Sequence, residues 1–417
     1  MARNAFYAQS GGVTAVINAS ACGVIETARQ HRDAIGTVYA GRDGIVGGLH
    51  EELIDTNAQP DAVIRALRST PAGAFGSCRY KLASPEKNAR EFERLLAVFK
   101  AHDIAYFFYN GGGDSADTCL KVSRYAQTIG YPLRAIHIPK TIDNDLPITD
   151  CCPGFGSVAK YVAVSALEAS FDVRSMARTS TKVFVLEVMG RHAGWIAAAG
   201  GLIEAHGIPV VLLLPEVRFN SQAFLAHVDA KVRQHGYCTV VVSEGCRDAE
   251  GHFLAEQGGR DAFGHAQLGG AAPVIASLIN AELKYKVHNA VADYLQRSAR
   301  HVASKTDVQQ AYELGAYAVE LALQGRDAVM PTIERVSHEP YEYRLGIAPL
   351  EHVANVEKPM PPEFIRADGF GVTPECLRYL KPLIAGEDYP QYVDGLPAYA
   401  MLESLMAAKK LSPYQAS

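Results

Sequence analysis

The 417-residue chain has no apolar run approaching the length of a membrane span; roughly 20 consecutive apolar residues are needed to cross a bilayer. Its richest apolar stretches, Val210-Val211-Leu212-Leu213-Leu214 and Thr239-Val240-Val241-Val242, have the length of buried strands. There is no excess of positive charge, the formal net charge being -5. That removes the basic face on which nucleic-acid binding depends. No CxxC pair occurs among the eight cysteines at positions 22, 78, 119, 151, 152, 238, 246 and 376. Their scatter excludes a zinc site or a disulfide framework and fits free thiols in a reducing compartment. The adjacent Cys151 and Cys152 read as two small residues near a strand end. The opening residues lack the apolar core of a secretory leader, so the expectation is a cytoplasmic protein. No GxGxxG follows the first strand candidate, and no suitably spaced acidic residue follows the second. A dinucleotide-binding dehydrogenase is therefore disfavoured.

What is present is an alternation of short β-rich runs and helical segments. Phe6-Tyr7-Ala8 reads as a strand before a glycine turn and a helix over Ala15 to Gln30. Ile104 to Tyr109 is a buried-strand run ending at Gly111-Gly112-Gly113, with a helix over Ser115 to Tyr125. Arg134 to Ile138 and Lys182 to Val188 are further strands, the latter followed by a glycine turn and an Ala-rich helix. Continuous apolar strands joined by helices predict an α/β fold with parallel sheets covered on both faces. The length exceeds one core, so two doubly wound domains are expected. The Pro-rich stretch Glu357-Lys358-Pro359-Met360-Pro361-Pro362 reads as a surface connection in a C-terminal extension.

Ligands of such sheets bind beyond the carboxyl ends of strands, where the most polar loops of this sequence fall. Ser10-Gly11-Gly12 lies between a strand and a helix, and its glycines let backbone N–H groups approach an anion. It lacks the Gly-Lys-Ser/Thr ending of a Walker A loop. Gly111-Gly112-Gly113-Asp114-Ser115 has the same setting. Its Asp114 is readable as a helix cap, as a magnesium attractor, or as a carboxylate that occupies a phosphate's place. Lys140-Thr141-Ile142-Asp143-Asn144-Asp145 concentrates a lysine, a hydroxyl and two carboxylates. Phosphoryl transfer needs a base for the attacking hydroxyl and cations for the developing charge. Asp143 suits the base, Lys140 the cation, Thr141 a hydrogen-bonding partner, and Asp145 a metal or orienting partner; an Asx turn accounts for Asn144. Arg191 in Met189-Gly190-Arg191-His192 can bind phosphate bidentately, whereas His192 reads as structural. Glu244 ends a Val-rich strand, and Tyr294 and Arg297 stand three residues apart, on one face if helical.

Taken in order, these motifs resemble the phosphofructokinase family over most of the chain from Ala5 to about Gly325. The resemblance implies two Rossmann-like domains of that fold with a C-terminal extension. It places a donor-binding domain at about 1–155 plus 298–345. A sugar-phosphate-binding domain takes about 156–297 plus 346–417, extension included. The implied acceptor is fructose 6-phosphate, with Asp143 as proton acceptor. Thr141, Ile142, Asp145, Met189, Gly190, Arg191, Glu244, Tyr294 and Arg297 fall on sugar-phosphate positions. Lys182 matches a basic residue that reaches a neighbouring subunit's pocket, and Lys286 or His288 occupies a second such position. A homo-oligomer, dimer or tetramer, follows. Gly11, Gly12, Arg79, Gly112 and Gly113 match donor-phosphate contacts.

The donor is read from two departures. ATP-using members have a Gly-Gly-Asp-Gly-Ser loop, and a glycine before Thr-Ile-Asp. Here Gly113 and Asp114 exchange that character, and Lys140 replaces the second glycine. Both changes resemble the pyrophosphate-dependent branch. Asp114 adds bulk and like charge against a nucleotide, while Lys140 can stabilise the transferred and leaving phosphates. Mg²⁺ is the implied cofactor, with Asp114 and Asp145 as its candidate ligands. The alternatives are an ATP-dependent relative, another acceptor such as sedoheptulose 7-phosphate, and a non-catalytic regulatory subunit, which intact Asp143, Arg191 and Arg297 argue against. Cys22 and Glu26 stand where regulated relatives carry effector-binding arginines. Control by ADP or phosphoenolpyruvate through that site is therefore not expected.

Overall fold

The computed structural model describes residues 2–254, 256–260, 266–268, 270–403 and 405–415. In chain order the strands are β1 (Arg3–Gln9), β2 (Ile35–Gly41), β3 (Leu53–Asp55), β4 (Ile104–Gly111) and β5 (Arg134–Pro139). There follow β6 (Val183–Val188), β7 (Val210–Leu213), β8 (Cys238–Ser243), the hairpin β9 (Glu256–Arg260) and β10 (Ala266–Leu268), and β11 (Val287–Val291). The chain then adds β12 (Val329–His338) and β13 (Tyr341–Pro349).

Among the described residues the two larger sheets are open. The larger has the order β13-β12-β5-β4-β1-β2-β3, and the smaller β11-β6-β8-β7. The smaller is parallel throughout, and the centre of the larger, from β5 to β2, is parallel as well. Every residue of β7 and β8 is buried, as a parallel strand covered on both faces requires. The expected α/β architecture of doubly wound sheets is therefore what forms.

Register aligns the chemistry. Gln9 pairs with Asn110, Asn110 with Ile138, and Gly111 with Pro139. Hence β1, β4 and β5 end at one level, and Ser10, Gly112 and Lys140 emerge side by side. In the smaller sheet Val188 pairs with Ser243, and Glu187 with Val291. Met189, Glu244 and Asp293 leave that edge together. The chain reverses direction across β1/β4 in one sheet and β6/β11 in the other, and such switch points open crevices.

The helix over Ala15–Gln30 begins two residues late, at Ile17, and the helix after β4 begins at Gly113. The Ala-rich helix after β6 is short, Trp195–Ala198, and continues as a 3₁₀ segment, Ala199–His206. Glycines 200 and 201 let that segment lie close on the sheet, where a Cβ at Gly200 would stand 2.7 Å from Val241. The C-terminal extension packs first on the smaller sheet's side, with Tyr379 and Phe364 against Trp195 at 5.2 and 5.9 Å. It then returns to the larger sheet. Asp55 N–H donates to Leu405 O and Ala407 N–H to Leu53 O, both at 2.8 Å, which covers the exposed edge of β3. All eight cysteines are free, and seven are buried.

Candidate active site

A cleft of ≈ 1220 Å³ lies between the carboxyl edges of the two sheets. From the larger sheet it is lined by Gly11, Gly12, Gly112, Gly113, Asp114 and the Lys140–Asp145 loop. Arg79 joins them from the connection between β3 and β4. From the smaller sheet come Met189, Arg191, Glu244, Tyr294 and Arg297.

The Lys140–Asp145 loop has a local logic. Lys140 N–H donates to Gly111 O at 3.0 Å, carrying β5's pairing one residue further. Asp143 N–H donates to Thr141 Oγ1 at 3.1 Å. Asn144 then turns the chain with φ = 56°, a left-handed conformation that Asn tolerates better than most residues. Its buried amide is tied twice: Nδ2 donates to Tyr379 Oη at 2.9 Å, and Oδ1 accepts from Cys152 N–H at 3.0 Å. Asn144 is a hinge pin, which leaves Asp143 and Asp145 aimed at the cleft.

Electrostatics follow from burial. Desolvation, then the charges of Asp145 and Glu244, push the Asp143 carboxyl up to about 7, against the pull of Lys140 and Arg191. Desolvation pulls Lys140 down to about 8, opposed by Asp143 and Asp145. Asp145 is raised by burial and then by the charge of Glu357. Glu244 is raised by burial and partly restrained by Arg191. A carboxyl poised near neutrality beside a lysine of lowered basicity is suited to proton transfer.

The two glycine turns serve different purposes. Lys140 Nζ donates to Gly12 O at 2.6 Å, bridging the loops after β1 and β5. A Cβ at Gly12 would stand 2.8 Å from Arg297 Nη1 and 3.6 Å from Arg79 Nη2, so glycine lets both guanidinium groups close on this turn. Arg297 thus reaches across the cleft, its cation also lying 3.9 Å from the Tyr294 ring centroid. Asp114 does not cap its helix, since no side chain caps at Gly112. Its carboxylate instead accepts from Lys81 Nζ at 2.5 Å, and the helix-cap reading is corrected accordingly.

On the opposite wall, Met189 N–H donates to Gln296 Oε1 at 3.1 Å, tying the loop after β6 to the short helix Leu295–Ser298 that carries Arg297. Gly190 lies behind the wall, at φ = 126°, with its carbonyl held by Ser243 Oγ at 2.6 Å. Lys182 and Lys286 lie elsewhere. They precede β6 and β11, at the edge opposite this chain's own cleft. Lys182 Nζ donates to Ala177 O, and Lys286 Nζ to Ser180 Oγ at 3.1 Å. His288 is an exposed residue of β11.

Sequence reasoning missed Glu357, Lys358 and Pro359, all of which line the cleft. The stretch read as a surface connection in fact crosses the mouth of the site. His192, read as structural, faces Glu357, its Nδ1 lying 3.2 Å from both carboxylate oxygens. Nothing in the local pattern announces this, because prolines signal irregular chain without saying where it lies.

Cations on both walls of the cleft, with a carboxyl of near-neutral pKa at the centre, define a phosphoryl-transfer class of α/β protein. The profile described as Phosphofructokinase matches residues 4–322, and the chain belongs to the phosphofructokinase family. It is 68% identical over 413 residues to a pyrophosphate–fructose 6-phosphate 1-phosphotransferase of Methylococcus capsulatus, covering 99% of this chain and 98% of that one. A protein of the same name from Halomonas elongata is 63% identical over 414 residues, covering 99% of each. The crystal structure of a pyrophosphate-dependent phosphofructokinase from Nitrosospira multiformis superposes with a TM-score of 0.93 at 64% identity, covering 100% of both chains.

Proposed function

We propose that this protein transfers a phosphoryl group from inorganic pyrophosphate to fructose 6-phosphate, giving fructose 1,6-bisphosphate and orthophosphate in a reversible reaction. The observation that carries the donor assignment is Lys140, whose ammonium bridges to Gly12 O at 2.6 Å beside Asp143, with Asp114 facing the same cleft. A glycine at position 140 would leave this cation out. The full-length similarity to pyrophosphate-named relatives supports the same reading over ATP as donor.

In the proposed step Asp143, ionised, accepts the proton of the sugar's 1-hydroxyl. That oxygen attacks one phosphorus of pyrophosphate, and the bridging P–O bond breaks. Lys140 and Arg79 compensate charge on the transferred and leaving phosphates as orthophosphate departs past Gly12. Arg191 and Arg297 hold the 6-phosphate, and Glu244, Tyr294, Thr141 and Met189 position the sugar. In this reading the larger sheet's loops carry the donor and the smaller sheet's the sugar phosphate.

Mg²⁺ binds through one or two carboxylates plus substrate phosphates and its own waters, rather than in an all-protein cage. Among the described residues no group of three or more His, Cys, Asp or Glu is placed to hold a metal. Asp145 fits such a role better than Asp114, whose carboxylate is paired with Lys81. When bound, the ion supplies neutralising charge on the pyrophosphate oxygens. The assembly we propose is a homo-oligomer in the cytoplasm, with Lys182 and Lys286 serving a neighbouring subunit's cleft. No helix among the described residues is long and apolar enough to cross a membrane.

The deciding experiment compares donors at saturating fructose 6-phosphate and Mg²⁺. Turnover with pyrophosphate and little with ATP is expected; robust turnover with ATP alone would overturn the proposal.

A further inference from the structure

The strap Asn355–Met360 joins three parts of the molecule at the cleft. At one end Asn355 Nδ2 donates to Asp117 Oδ1 at 3.1 Å, on the helix that begins at Gly113. At the other, Met360 is buried in the smaller sheet's core. Between these ends Glu357 faces His192, and Lys358 faces the aspartate-bearing loop.

Lys358 is bonded as a brace. Its backbone N–H donates to Asp145 O at 2.6 Å. Its Nζ donates to Thr149 O and Asp150 O, each at 3.0 Å. One residue therefore grips both ends of the segment 145–150. The brace is itself fixed: the ammonium lies 5.5 Å from the Trp195 ring centroid, and Trp195 Nε1 donates to Lys358 O at 3.5 Å. Trp195 is buried in the smaller sheet's core. Asn144 pins one side of this loop, and Lys358 supplies the tie on the Asp145 side, where the like charges of Asp143 and Asp145 repel.

We infer that Lys358, from the C-terminal extension, is a positioning residue for the reaction. It holds Asp143 and Asp145 at the distance from Lys140 and Gly12 that transfer requires, and Glu357 fastens its strap across the mouth through His192. This rests on the function proposed above. The Lys358 ammonium is engaged by Thr149 O and Asp150 O, so it acts through the loop. Misplacing a reacting group by about 1 Å costs on the order of a hundredfold in rate. The loss belongs to the chemical step, so it falls on kcat rather than on KM.

The test compares Lys358→Met and Lys358→Arg with the wild type by steady-state kinetics with pyrophosphate, fructose 6-phosphate and Mg²⁺. Hydrogen exchange of the ligand-free proteins accompanies it. For Lys358→Met we expect kcat to fall about tenfold to a hundredfold. Both KM values should stay within about threefold of the wild type. Lys358→Arg, which can still donate to Thr149 O and Asp150 O, restores most of kcat. Amides from Ile142 to Asp150 lose protection in Lys358→Met while those of β4 and β6 keep it. Unchanged kcat, an effect confined to KM, or protection lost evenly through the molecule overturns the inference. A wild type inert with pyrophosphate would instead sink the functional reading. In that case the exchange pattern decides the brace, local loss upholding it and unchanged protection refuting it.

Discussion

Replacing Asp143 with Asn should cripple the enzyme and stabilise the fold at once. As general base, Asp143 contributes on the order of 10²–10⁴ in rate, so kcat should fall by at least a hundredfold. The stability effect has the opposite sign. Burial and the charges of Asp145 and Glu244 raise this carboxyl from 3.8 to about 7. At about 1.4 kcal/mol per pKa unit, that rise withholds about 4 kcal/mol from the folded state once the group is ionised. Below about pH 4 the carboxyl is protonated whether folded or unfolded, and nothing is withheld. The penalty grows as pH rises from about 4 to about 7 and is complete above it. Asn carries no charge at any pH and keeps the shape, so the variant escapes the penalty. Thermal unfolding of ligand-free protein, measured from pH 5 to pH 8, is the assay. The variant should melt higher than wild type, by a margin that widens with pH. A variant no more stable at pH 8, or a margin flat across the range, would refute the claim that this aspartate is strained by its surroundings.

The same two groups set the pH dependence of turnover. Asp143 must be ionised and Lys140 protonated, so kcat/KM for pyrophosphate should rise through about 7 and fall above about 8. Lys140→Met should lower activity and abolish the alkaline limb. Asp114→Gly removes the carboxylate and releases Lys81 into the cleft. The ratio of ATP to pyrophosphate turnover should rise at least about tenfold, and an unchanged ratio would refute the exclusion argument. Glu51 is buried and accepts from Lys410 N–H at 2.6 Å, Leu411 N–H at 3.1 Å and His102 Nε2 at 2.7 Å. Glu51→Ala should cost about 3 kcal/mol and expose the tail, read as faster trypsin cleavage at Lys409 and Lys410.

Much of this protein is decided within short stretches of chain. Runs such as Val240–Val242 are apolar at every position, and only a strand covered on both faces accommodates that. A glycine turn after such a strand has one place to go, the carboxyl edge, which is why Gly11, Gly112 and Lys140 could be gathered into one site by reading alone. Asn144 announces its own left-handed turn through its side chain. These properties are local, set by steric limits and by burial of the nearest neighbours.

What the tertiary structure alone decided involves residues far apart in sequence. Asp114 reads as a helix cap, a magnesium attractor or a carboxylate in a phosphate's place until Lys81 is brought 2.5 Å away. Arg297 carries no mark that it reaches Gly12. Lys182 and Lys286, which the resemblance assigns to a neighbouring subunit's pocket, are put by strand direction at the edge opposite this chain's own cleft. Glu357 and Lys358 precede prolines and look like a connection. Their backbone has no sheet or helix to pair with, so its partners are whichever groups the completed fold presents. Here those groups are Asp145, Trp195 and His192, and their placement depends on the packing of two sheets, which no single segment encodes.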